Sequence, residues 1–201
     1  MNNKIASHNI FLGLWLLILT LMVYALILIG GLTRLTESGL SMVDWRPLMG
    51  SVPPLNKQDW LNVFNQYKQT PEYLILNQNM QINEFKYIFW WEYSHRLFAR
   101  IIGIFFIFPF IFFLLKKRLS KELVIKLIIV FLFAALQALV GWWMVKSGLT
   151  DDPYVSQYRL SFHLINAIVI LTILLWLTME QLIPDEFIKK LQIPKILIFI
   201  S

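Results

Sequence analysis

Residues 88–115 read IFWWEYSHRLFARIIGIFFIFPFIFFLL. Glu92, His95, Arg96 and Arg100 fall in the first half of this stretch, and the second half carries no charge. The run exceeds the roughly 20 residues that carry a helix across the hydrocarbon core. A strand of this length fails in lipid, where an open sheet edge has no partner for its backbone groups. Three more apolar runs of spanning length lie at about 10–29, 123–145 and 160–182. Only 15% of the 201 residues are charged while 58% are hydrophobic, far from a soluble domain's balance. The expected fold is an all-α integral membrane protein, a four-helix transmembrane bundle.

Charge placement orients the bundle. Lys116, Lys117, Arg118, Lys121 and Lys126 crowd the connection after the second span, and Lys189, Lys190 and Lys195 follow the fourth. Such clusters mark the cytoplasmic side and suit anionic headgroups. In the long stretch 30–87, basic residues are balanced by Glu37, Asp44, Asp59, Glu72 and Glu84. The connection after the third span sets Lys146 and Arg159 against Asp151 and Asp152. Both are expected outside, with a cytoplasmic N-terminus. The net charge of +6 is therefore topological and does not point to nucleic acid. Residues 1–9 carry one lysine and no arginine, unlike a transit peptide, and no cleavage-type site follows the first run. The first run is read as a retained helix in a bacterial cell inner membrane. The absence of cysteine removes disulfide and thiolate chemistry.

The stretch 30–87 is too long for a simple connector. Aromatic residues alternate there with prolines (Trp45, Pro47, Pro53, Pro54, Trp60, Phe64, Tyr67, Pro71, Tyr73), which suggests an ordered cap. Residues 57–67 form one amphipathic helix with Trp60, Phe64 and Tyr67 on a face. An interfacial aromatic belt and a substrate lid both fit this pattern. Ser38-Gly39-Leu40-Ser41 and Ser147-Gly148-Leu149-Thr150 form a faint repeat. The bundle is read as 1–192, and the apolar end 193–201 as the start of an incomplete fifth helix.

Ionisable residues inside a span are costly and are functional candidates by default. At 100° per residue, Glu92, His95, Arg96, Ala99 and Gly103 share one stripe, with Trp90, Ser94, Leu97 and Ile101 opposite. In the fourth span Arg159, His163, Asn166, Ala167 and Ile170 align, and in the third Ala134, Gln137 and Gly141. The second and fourth spans run the same way, so His95 and His163 are expected at matching depth. Two facing imidazoles suit a planar macrocycle, since imidazole is a common heme-iron ligand. His8 lies at the other side of the membrane. Against this stands a plain structural role, in which each histidine bonds a neighbouring helix. Arg96, Arg100, Gln137 and Asn166 are candidate substrate contacts, the arginines for carboxylates; Arg159 is expected to reach the interface. Glu92 is placed to orient His95, to carry a proton, or to neutralise Arg96.

The segment Gly30-Gly31-Leu32-Thr33-Arg34-Leu35-Thr36-Glu37-Ser38-Gly39-Leu40-Ser41 resembles the first outer loop of heme A synthases. Trp45-Arg46-Pro47 with Gly50, Pro53 and Pro54 does too. Glu84-Phe85-Lys86-Tyr87-Ile88-Phe89-Trp90-Trp91-Glu92-Tyr93-Ser94-His95-Arg96 is similar to that family's second-helix signature. The mitochondrial and alphaproteobacterial branch fits best, since it lacks a loop cysteine pair, and Ala99 stands where many members have glycine. The resemblance runs from about residue 10 to 182, the N-terminal half of the family's two linked bundles.

That resemblance implies oxidation of the C8 methyl of heme O to a formyl group, by two hydroxylations and loss of water, for cytochrome oxidase biogenesis. Glu92, His95 and His163 match the catalytic positions, with the two histidines at heme iron. Heme b is the implied cofactor, with ligands in a C-terminal half, and heme O the substrate. The implied partners are membrane lipid, a separate C-terminal half, heme O synthase or a second copy of the chain. A non-enzymatic heme-binding or electron-transfer module, and an inactive fragment of a split gene, stay open as alternatives. The sequence identifies no electron acceptor.

Overall fold

The computed structural model describes residues 10–44, 52–150 and 152–183. His8, Trp45, Pro47, Asp151, Lys189, Lys190, Lys195 and the proposed fifth-helix start lie outside the described residues. Four long helices carry the fold: α1 (Ile10–Leu35), α4 (Ile82–Leu115), α5 (Lys121–Gly148) and α6 (Gln157–Leu182). All four are long and apolar enough to cross a membrane. Between α1 and α4 lie the short α2 (Lys57–Tyr67) and α3 (Pro71–Ile75). The chain is an all-helical membrane bundle, as the apolar runs predict. Large apolar side chains such as Phe11, Phe108 and Leu132 are exposed along the spans, as a lipid-facing surface requires.

Two helices are longer than their apolar runs. α1 continues through Gly30-Gly31 to Leu35, with the Thr33 hydroxyl donating to the Ile29 carbonyl at 2.9 Å. It stops where Glu37 takes a left-handed φ of 50° and Ser38 N–H reaches back to the Thr33 carbonyl. This is the six-to-one closure that usually employs glycine. α4 starts at Ile82 because the Glu84 carboxylate accepts from Gln81 N–H at 2.7 Å, a capping-box contact. At about 1.5 Å per residue its 34 residues cover about 50 Å, well beyond the hydrocarbon core. The surplus stands in the cap.

α1 is the central staple of the bundle. It packs on α4 and α6, and α6 packs on α5, whereas α4 and α6 have almost no close backbone approach. Away from the cap the four helices share one core, including Leu12, Leu16 and Leu19 of α1, Phe106 of α4, Leu127 of α5 and Leu174 of α6. Gly13 lets α1 meet Leu182, since a Cβ there would collide with Leu182 Cδ2. The buried hydroxyls of Thr20 and Thr178 meet at 3.1 Å across the same seam. Pro109 lies inside α4 and has no N–H to give the Phe105 carbonyl; Trp15 Nε1 donates to that carbonyl at 3.0 Å. Lys126, one of the basic residues used to orient the chain, points to Glu180 and bonds both carboxylate oxygens at 2.8 and 3.0 Å.

The cap end has its own core. Phe64, Tyr67, Phe85, Ile88, Phe89 and Tyr93 are buried together, with Trp60 and Tyr73 packed against them. Phe85 lies about equally close to Phe64 and Tyr67, at 5.0 and 5.1 Å between ring centroids. α2 thus packs its Phe64–Tyr67 face on the extension of α4. Asn56 caps α2 and Thr70 caps α3, the latter with Pro71 in its first turn.

Candidate functional site

The polar residues of the spans gather at the cap end, where α4 and α6 do not close on each other. Glu92 is 2% exposed. Its Oε2 accepts from the Ser41 hydroxyl and from Met42 N–H, both at 2.7 Å. Its Oε1 pairs with Arg96 one turn on, and Arg96 also donates to the Met42 carbonyl at 3.3 Å. A carboxylate buried this deeply needs such donors around it. Of the partners the sequence offered Glu92, the one in contact is Arg96, and the same carboxylate also holds the loop after α1. Ser41 and Met42 carried no signal of this in the sequence, because the contact spans about fifty positions.

Both histidines lie against glycine. A Cβ on Gly30 would stand 3.1 Å from His95 Nε2, and one on Gly141 would stand 3.0 Å from His163 Cε1. Gly30 of α1 therefore makes room for the α4 imidazole, and Gly141 of α5 for the α6 imidazole. Counting outward from the Thr20–Thr178 contact, Gly30 is ten residues along and His163 fifteen. At about 1.5 Å per residue this sets them about 7.5 Å apart in depth. Along the α4 stripe, Ala99 is exposed and Gly103 has open space where a side chain would be. Ala134, placed with Gln137 and Gly141 by periodicity, is exposed.

Gln137 and Asn166 lie beside His163. Gln137 Nε2 meets His163 Nε2 and the His163 carbonyl, both at 3.1 Å. Asn166 Nδ2 reaches Gln137 Oε1 at 2.6 Å and the Phe133 carbonyl at 3.1 Å. Among the described residues His163 Nδ1 is buried without a hydrogen-bond partner. Arg159 belongs elsewhere: it donates to the Trp143 carbonyl at 2.8 Å and stacks on the Trp143 ring. Arg100 sits on α4 one turn beyond Arg96.

This donor set fits a metallomacrocycle. It offers two imidazoles on separate helices, each seated against a glycine (Gly30 and Gly141), and small residues on the α4 stripe, exposed Ala99 and open-sided Gly103, where a flat ligand could approach backbone. A bare ion usually takes three or more protein ligands, and no such group of His, Cys, Asp and Glu occurs among the described residues. A porphyrin brings the equatorial donors itself and needs only axial ones.

The cap holds a second buried acid. Glu72 is 5% exposed and Tyr67 is fully buried. Tyr67 donates to Glu72 and receives Asn77 Nδ2 at 2.8 Å. Burial, then the charges of Glu92 and Glu37, push the Glu72 carboxyl up to about 7, against the Tyr67 bond and Arg34. Burial, followed by the Glu72 charge, raises the Tyr67 hydroxyl further above its ordinary range. The two copies of the faint repeat also touch. A Cβ on Gly148 would meet Leu40 Cδ1 at 2.6 Å, so the α5–α6 turn closes directly under the loop that Glu92 holds.

The chain matches the COX15-CtaA family, described as cytochrome oxidase assembly protein, over residues 13–199. It is 50% identical to a heme A synthase of Nitrosospira multiformis over 87% of this chain and 49% of that one. The match to a heme A synthase of Nitrosomonas eutropha is 45% identical, over 91% and 51% of the two chains. A heme A synthase of Wolbachia pipientis from Culex pipiens is 47% identical, over 88% and 54%. The chain thus spans about half the length of the curated relatives it matches. No solved structure matches it.

Proposed function

The chain belongs to the COX15-CtaA family of cytochrome oxidase assembly proteins, and from that premise we propose that it forms the substrate-binding N-terminal half of a heme A synthase. In this reading it binds heme O between α4 and α6 and presents the C8 methyl for oxidation to the formyl group of heme A. The carrying observation is the pair of imidazoles, each seated against a glycine on a neighbouring helix, at the end of the bundle where α4 and α6 stand apart.

His95 and His163 are the proposed axial contacts to the heme O iron. Glu92 is proposed to act on the methyl side chiefly by fixing geometry. Its hydrogen bonds to Ser41 and Met42 close the loop over α4, and that closure excludes water from the reacting edge. Holding one methyl at a fixed position contributes several kcal/mol to such a barrier. Arg100 is the proposed partner of a propionate, in the manner arginine binds carboxylates; Arg96 contributes through Glu92. Oxidising equivalents come from a cofactor or acceptor, since side chains supply none. Heme b is the proposed cofactor, with its ligands in the part of the relatives' length that this chain does not match.

The same reading places the protein in a bacterial inner membrane with the cap outside. The basic run Lys116, Lys117, Arg118 and Lys121 supports it, by the positive-inside rule. Reporter fusions in the α2–α3 segment should then read as external; a cytoplasmic readout refutes this orientation.

Activity is tested in cells that lack their own heme A synthase and make heme O. The chain joined to the C-terminal half of the Nitrosospira multiformis relative should restore heme A, detected by chromatography of extracted hemes. The same fusion carrying His163→Ala should not. Heme A formed equally by both would overturn the proposal.

A further inference from the structure

We propose that Gln137 and Asn166 are positioning residues that fix which nitrogen of His163 carries the proton, leaving Nε2 bare for axial ligation. Two backbone carbonyls, which can only accept hydrogen bonds, set the orientation of both amides. Asn166 reaches the Phe133 carbonyl at 3.1 Å, so the atom doing so is the amide nitrogen. The same nitrogen lies 2.6 Å from Gln137, so Gln137 presents its oxygen there and its nitrogen to His163. That nitrogen meets a second pure acceptor, the His163 carbonyl at 3.1 Å, which independently demands a donor. Two carbonyls on two helices thus set the same orientation of the Gln137 amide. Its remaining contact, at 3.1 Å, is His163 Nε2. Facing a donor, Nε2 must hold its lone pair, and the ring proton sits on Nδ1.

Three features make this a device directed at a ligand as well as a packing arrangement. The bare nitrogen is the one that binds metal, and the protonated one is the position a ligating histidine offers to an outer acceptor. Nδ1 is buried without a partner among the described residues, so no group there competes with Gln137 in setting the tautomer, whereas the opposite tautomer would set two N–H groups against each other at Nε2. Finally, Gln137 has two acceptors on His163. It can give up the ring and keep the backbone carbonyl, so a metal can take Nε2 without stranding the amide. The iron part of this inference rests on the heme reading of the site; the tautomer does not.

The test uses the full chain in lipid nanodiscs with its histidine rings isotopically labelled for nitrogen NMR. With three histidines in the sequence, His163→Ala assigns the ring. The expected result is a bare Nε2 and a protonated Nδ1 in the wild-type protein, with Gln137→Leu or the more conservative Gln137→Met moving the proton wholly or partly to Nε2. A wild-type ring protonated on Nε2 would overturn the proposal before any variant is made. So would an unchanged tautomer in both folded variants. Protoheme titrated into the wild-type sample separates the two claims. The stated tautomer without heme binding supports the positioning role and counts against the functional reading.

Discussion

Ser41 and Glu92 lie 51 positions apart and are joined by a buried hydrogen bond of 2.7 Å. The bond ties the loop leaving α1 to the first residue of the polar stripe on α4. Met42 N–H reaches the same carboxylate oxygen and Arg96 the other, so one side chain fixes both the loop and the arginine.

Glu92→Gln should therefore loosen the loop as well as the site. Removing the charge from a buried ion pair costs about 3–5 kcal/mol, whereas Ser41→Ala removes one bond to a charged acceptor, about 1.5–3 kcal/mol. Hydrogen exchange over residues 38–44 should accelerate in both variants, more in Glu92→Gln. If Glu92→Gln leaves exchange in the loop unchanged, the carboxylate does not hold it.

Glu72 predicts how the cap responds to pH. Its folded-state carboxyl is raised from 4.5 to about 7, so the folded cap binds the proton more tightly than the unfolded chain. That contribution is fully present below about pH 4.5 and is lost as pH rises through about 7. Between pH 5 and 8 the cap should weaken by on the order of 1–3 kcal/mol. Glu72→Gln should flatten the dependence. Thermal unfolding in detergent, followed by tryptophan fluorescence at both pH values, measures it. A cap more stable at pH 8 than at pH 5 contradicts the buried acid.

The glycines separate helix stability from site geometry. Alanine in place of glycine favours a helix by about 1 kcal/mol, but a Cβ at Gly30 or Gly141 crowds a histidine at 3.1 or 3.0 Å. Gly30→Ala and Gly141→Ala should keep thermal stability within about 1 kcal/mol of wild type while weakening heme binding about tenfold. Gly31→Ala, where nothing lies within 4 Å, should leave binding unchanged. Equal binding in all three variants would remove the glycines from the site.

Much of this architecture was legible from hydropathy and periodicity. The four runs gave the four spans, and the α2 helix occupies the residues its amphipathic pattern marked. Helix ends were harder to read. The first apolar run was read to about residue 29, yet α1 continues to Leu35, and Gly30 inside it admits a neighbour, His95. The first turn of α4 is polar, and capping by Glu84 sets it where hydropathy has no signal. On α4 the 100° stripe correctly grouped Glu92 with Arg96. Their partners on the Ser41–Met42 loop were invisible because tertiary contacts across fifty residues leave no local pattern. Gln137 and Asn166 read as substrate contacts, whereas their bonds go to His163, to each other and to a backbone carbonyl.

The central claim is that His95 and His163 bracket one heme. Absorption spectra of the purified full chain titrated with protoheme, in ferric and ferrous states, test it directly when compared with His95→Ala and His163→Ala. The account predicts a low-spin spectrum in the wild-type protein and a high-spin spectrum or at least about a tenfold loss of affinity in each variant. Unchanged spectra and affinity in both variants would contradict it and return the two histidines to helix packing.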